Sequence, residues 1–177
     1  MLRLSVSLLA LVFLIAQPVS PAWSNTNEII KKEVPEAEVV GQGRYTYMLW
    51  DLYDASLHAP QGTWEKTKPY ALKLKYLRHL HGNKIADKSA EEIRKQGFGD
   101  EAKLAAWYAQ MKNIFPDVKK GTEIVGIYMP GEETRFYKGT EEIGIIKDPE
   151  FGKWFFGIWL SEKTSAPKLR TSLLGRK

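Results

Sequence analysis

The chain of 177 residues has no cysteine. That absence excludes disulfides, thiol chemistry and cysteine-ligated metal sites. Long hydrophobic runs are also lacking. The longest, residues 4–16, is too short to cross a bilayer, which takes about 20 residues. Charge of one sign is not concentrated anywhere: the formal excess of +5 is spread along the chain. With no stripe of Lys and Arg interleaved with aromatics, nucleic acid is not expected as a partner. Repeats and low-complexity segments are missing too. What the chain has in quantity is aromatic rings, with 6 Trp, 8 Tyr and 7 Phe.

Arg3, the apolar run at 4–16 and a polar tail with small residues at Ala22 and Ser24 follow the pattern of a secretory signal peptide. Residues 1–24 are therefore expected to be cleaved, with the mature protein in the periplasm and without a stable membrane anchor. Their loss leaves roughly 150 residues, enough for one domain with a substantial core. Residues 25–38 are charged, contain Pro35, and read as a loose arm. Oligomeric state is not readable from the pattern.

Residues 41–60, GQGRYTYMLWDLYDASLHAP, form the stretch around which the rest is organised. Their β-branched, aromatic and aliphatic composition reads as strand, broken or bulged near the two glycines. They also carry Arg44, Asp51, Tyr53, Asp54 and His58, an unusual polar load for so apolar a run, as if the strand lined a pocket. A third strand follows in which Tyr70, Leu72, Leu74 and Tyr76 alternate with Ala71, Lys73 and Lys75. Ser89 and Glu92 fit a capping box opening a helix, and Gly97 fits its end. Asp100 fits the cap of a second helix with a stripe at Leu104, Trp107, Met111 and Ile114. A β-meander over residues 122–147 precedes a helix opened by Asp148-Pro149, whose Phe151, Trp154, Phe155, Ile158 and Trp159 make an aromatic face. A short helix ends at Gly175. This order predicts an α+β domain with helices packed on an antiparallel sheet.

Gly-x-Gly-Arg at residues 41–44, the strand ending Tyr-Asp-Ala-Ser-Leu at 53–57, Asp-Pro-Glu-Phe at 148–151, Trp-Phe-Phe-Gly-Ile-Trp-Leu at 154–160, and Leu-Arg to Leu-Leu-Gly at 169–175 together resemble the chalcone isomerase-like proteins, in their bacterial exported branch. The resemblance spans residues 39–175. It implies an open-faced β-sandwich, a large antiparallel sheet covered by helices with a ligand cleft between. Plant isomerases of the family close a flavonoid ring, and non-catalytic relatives hold fatty acids by an arginine and a tyrosine. Carried over, Arg44 matches the cleft arginine, though one residue early, with Tyr45 at the expected place. Tyr53 matches the tyrosine of the fatty-acid binders, and Thr164 and Ser165 lie where a hydroxyl borders the cleft. Arg44 and Tyr53 are an odd number of residues apart, so a shared face requires a bulge.

The resemblance thus implies a non-catalytic, exported binder of a small amphipathic ligand such as a fatty acid, with Arg44, Tyr53, Thr164 and Ser165 as its ligand-binding residues. The alternatives are an isomerase acting on a chalcone-like enone, and a scaffolding protein that would show an exposed aromatic patch on the 151–159 helix. No cofactor is expected. His79 and His81 flank Leu80 at a spacing that can chelate metal from a strand, but the sequence offers no third ligand, so no metal site is expected. His58 with Asp54, and Arg135 with Tyr137, are further pairs that would share a strand face.

Overall fold

The computed structural model describes residues 26–176; the expected signal peptide, residues 1–24 with its cut after Ser24, lies outside them. The elements run α1 (Thr26–Glu33), β1 (Ala37–Tyr47), β2 (Trp50–Pro60), β3 (Tyr70–Tyr76), α2 (Gly82–Lys95), α3 (Glu101–Ile114), β4 (Glu123–Tyr128), β5 (Thr134–Lys138), β6 (Glu141–Ile146), α4 (Phe151–Leu160) and α5 (Pro167–Leu173). All six strands form one antiparallel sheet in chain order. The α+β class and the helix-covered sheet expected from the sequence are what is found.

Period-two alternation divides the sheet into two faces with different covers. On one face Leu57, Leu72, Leu74, Ile124 and Phe136 meet the helices that follow β3 and β6 in a single apolar cluster. On the other, Ala71, Val125, Ile127 and Tyr137 pack under Ile30 and Val34 of α1. Within the stretch expected to be a loose arm, residues 25–38, Thr26–Glu33 is therefore a helix docked on the sheet, and Ala37 and Glu38 already belong to β1. Ile30 and Val34, four residues apart, supply its apolar stripe and are 1% and 0% exposed. Thr26 Oγ1 donates to Glu123 Oε2 at 2.6 Å, and Arg135 Nη1 donates to Glu33 Oε2 at 3.0 Å, fastening both ends of α1. Arg135 and Tyr137 do share a face, but it is this one, under α1 and away from α2 and α4.

The expected bulge near the glycines is present, between Val39 and Gly41, with another between Tyr45 and Thr46. Gly41 is there because α5 lies directly against it: a Cβ would come 2.2 Å from the Ser172 carbonyl oxygen. The start of α2 differs from expectation. Ser89 is not the cap of α2 but lies inside it, donating back to the Ile85 carbonyl at 2.8 Å. The helix starts seven residues earlier at Gly82, whose N–H is taken by Asp117 Oδ1 at 2.8 Å, a cap supplied from a distant segment. Asp100 caps α3 as expected, accepting from the Lys103 N–H at 2.9 Å.

Candidate functional site

Between the sheet and the helices α2 and α4 lies a cavity of about 460 Å³. Its floor is the helix-side face of the central strands, with Tyr53, Leu72, Leu74, Tyr76, Ile124 and Phe136. Its roof includes Phe155, Phe156 and Trp159 of α4 and Ile85 of α2. The aromatic face of α4 is thus turned inward: Phe151 and Phe156 are 0% exposed and Phe155 and Trp159 nearly so. Size and lining both fall in the range of small-molecule sites, about 300–1,000 Å³ with apolar walls and few polar groups.

The polar groups are gathered at one edge. Lys84, Lys88, Glu91 and Glu92 come from α2, and Ser165 comes from the loop between α4 and α5. Glu92 is the buried member, accepting from Ser165 Oγ at 2.6 Å, from Lys95 Nζ at 3.1 Å and from Lys88 Nζ at 3.0 Å. Burial alone would push this carboxyl up, but those three donors outweigh it and hold the group below its ordinary range. Lys88 is about half exposed and also pairs with Glu91, so its ammonium stands at the boundary between cavity and water.

Tyr53 sits where the edge meets the floor. Its ring stacks on Tyr45 with centroids 5.1 Å apart, and its oxygen accepts from Trp159 Nε1 at 2.9 Å, joining β2 to α4 across the cavity. Burial pushes the Tyr53 hydroxyl well above its ordinary range, so it stays neutral and keeps a proton to donate. Tyr76, edge-on to Tyr53, is also raised by burial.

The four residues carried over from the family pattern part company here. Tyr53 and Ser165 line the cavity. Thr164 does not: its hydroxyl donates to the Ile158 carbonyl at 2.6 Å and accepts from Ala166 N–H at 3.0 Å, closing the end of α4. Arg44 lies on the opposite face of the hairpin. It pairs across the ladder with Asp54, while Tyr45 pairs with Tyr53. Its guanidinium donates to Asp54 Oδ1 at 2.6 Å and to Asp51 Oδ2 at 3.0 Å and is half exposed. Those acids, Asp54 before Asp51, raise the Arg44 pKa further. The bulge between Tyr45 and Thr46 falls beyond Arg44 toward the turn and does not bring it round, so Tyr45 takes the cavity place.

His58 and Asp54 are not paired either; His58 Nε2 lies 2.9 Å from Ser56 Oγ, and Asp54 is occupied by Arg44. Sequence reading missed Lys84, Lys88 and Glu92 as members of the site. Their i, i+4, i+8 spacing on α2 was the available signal. It also missed the partner that folding gives the two neighbouring histidines: His79, His81 and Asp117 come together at the surface.

The chain matches the chalcone isomerase-like family model over residues 36–175 and belongs to that family. It is 27% identical over 138 residues to an uncharacterized protein of Haemophilus influenzae, covering 77% of this chain and 67% of that one. Among solved structures, a fatty-acid binding protein of Arabidopsis thaliana superposes with a TM-score of 0.61 at 12% identity, covering 79% of this chain and 87% of that chain. At that identity the likeness is one of fold.

Proposed function

We propose that this protein is an exported, non-catalytic binder of a small amphipathic molecule, an acyl chain ending in a carboxylate. The observation that carries the reading is the cavity itself: about 460 Å³, walled by aliphatic and aromatic side chains, with its charged groups confined to the α2 edge. An acyl chain lies between α4 and the floor, and its carboxylate emerges beside Lys84 and Lys88. Tyr53, neutral and with a free proton, donates to the same head group. The fatty-acid binding function of the Arabidopsis structural neighbour accords with this, as does the leader-like pattern of residues 1–24 for export to the periplasm. Both the isomerase alternative and the arginine grip expected of a binder took Arg44 into the cleft, and Asp51 and Asp54 hold that guanidinium outside. The binder reading keeps Lys84, Lys88 and Tyr53 for the head group, whereas the isomerase reading keeps no cleft arginine. The scaffolding alternative relied on an exposed aromatic face on α4, which is buried.

Displacement of a fluorescent fatty acid by palmitate tests the reading. One saturable site is expected, lost in Ile85→Trp, which fills the roof. Lys84→Ala with Lys88→Ala should weaken palmitate about tenfold, the equivalent of one charge-assisted hydrogen bond, and should leave palmitoyl alcohol unchanged. Saturable binding undiminished in Ile85→Trp would place the ligand elsewhere and sink the proposal.

A further inference from the structure

We infer that His79, His81 and Asp117 form a binding site for a divalent transition-metal ion, zinc in the first instance. One ligand atom from each residue lies within 4.8 Å of the other two. His81 Nδ1 and Asp117 Oδ2 are already 3.2 Å apart, close to the roughly 3.3 Å separating neighbouring ligands around tetrahedral zinc at about 2.0–2.1 Å. The His79 ring stands edge-on to that of His81, centroids 4.7 Å apart and planes at 89°, so the two imidazoles converge without stacking. All three side chains are exposed and have room for the small rotations that would close the triangle. Two imidazoles and a carboxylate, with the remaining positions open to water, suit zinc and its neighbours in the first transition row.

The backbone beneath is fixed, which is what distinguishes this cluster from a chance surface meeting. Leu80 and Val118 form a two-way bridge, Leu80 N–H to Val118 oxygen at 3.1 Å and Val118 N–H to Leu80 oxygen at 2.9 Å. The candidate ligands thus flank the two bridge residues. Asp117 keeps its second oxygen on the Gly82 N–H at 2.8 Å, which orients the carboxylate toward the histidines as outer partners orient ligands in metal sites. The inner neighbours of the same segments, Leu80, Pro116 and Val118, line the cavity. A bound ion would clip together two chain segments that wall the cavity. The inference does not depend on what the cavity holds.

The chain suits a clean test, because it contains 3 histidines and no cysteine, and the third histidine, His58, is buried under the α1 face. Untagged protein is titrated with zinc chloride by calorimetry, and its thermal unfolding is followed with and without the metal. One equivalent is expected to bind in the micromolar range, with Tm rising by about 5 °C at hundredfold excess over Kd. His79→Ala and His81→Ala should each weaken binding at least tenfold and remove the Tm rise. Asp117→Asn, which can keep the Gly82 cap, should weaken it too. No binding at millimolar zinc would mean the cluster is an ion pair only. Binding unchanged in the His79→Ala, His81→Ala double variant would place the metal elsewhere. Either result overturns the inference.

Discussion

At the residue scale the most instructive side chain is Arg44. The odd spacing from Tyr53 would decide their faces only on one unbroken strand. The two residues lie on β1 and β2 of a hairpin, and it is the cross-strand register, Arg44 with Asp54 and Tyr45 with Tyr53, that puts them on opposite faces. What the spacing could not supply was the identity of Tyr45 as the cavity residue and of Asp51 and Asp54 as the acids that hold the guanidinium. Arg44→Ala is therefore expected to leave palmitate affinity within about twofold, against the tenfold or more that a cleft arginine would cost. A titration of the variant checks it. Tyr53→Phe, by contrast, strips the Trp159 N–H of its acceptor and should destabilise the fold by about 1–3 kcal/mol as well as weaken binding; urea denaturation measures the first effect. His58 gives a pH prediction. Burial, with Lys73 adding to it, pulls its pKa down to about 4 from 6.5. The unfolded chain therefore binds a proton that the folded chain refuses between those values. Stability is full above the unfolded pKa and falls as pH drops through 6.5 toward 4, by an amount on the order of 1–3 kcal/mol for this group. Denaturation at pH 7 and pH 4.5 should show the loss, and His58→Leu should reduce it. An equal loss in the variant would assign it to the carboxylates instead.

At the scale of elements, legibility followed locality. The alternation of β3, the stripe of α3 and the Asp100 cap are decided by near neighbours in the chain, and each was readable. The two features misread depend on distant partners. The start of α2 is capped by Asp117, 35 residues away, so the nearer Ser89 and Glu92 looked like the cap. The docking of α1 depends on strands β3 to β5, which give Ile30 and Val34 something to cover; alone, an 8-residue helix with a proline after it would not hold. The glycine pair of β1 was legible as a break but not as a contact surface for α5. Gly41→Ala, with its Cβ driven against the Ser172 carbonyl, is expected to cost about 1–3 kcal/mol of stability. A chemical denaturation midpoint unchanged in that variant would show that α5 sits more loosely on β1 than the structure has it.

At the scale of the molecule, the sheet is covered on both faces but the two covers differ. The α1 side is closed by a small apolar cluster and the ion pairs of Arg135 with Glu33 and Glu133, whereas the α2–α4 side holds a cavity of about 460 Å³ roofed by aromatic rings. The aromatic richness of the sequence is thus divided between core and cavity wall, a division that no periodicity could reveal, since an inward stripe has the same spacing in either case. An apolar cavity with its charged groups at the α2 edge is the arrangement that the proposed amphipathic ligand requires. A crystal structure of the protein grown with palmitate tests this most directly. The account predicts continuous density for the chain between Phe155 and Leu72, with the carboxylate about 3 Å from the ammonium of Lys84 or Lys88. A cavity found collapsed, or palmitate bound only on the outer surface beside Arg44, would contradict it.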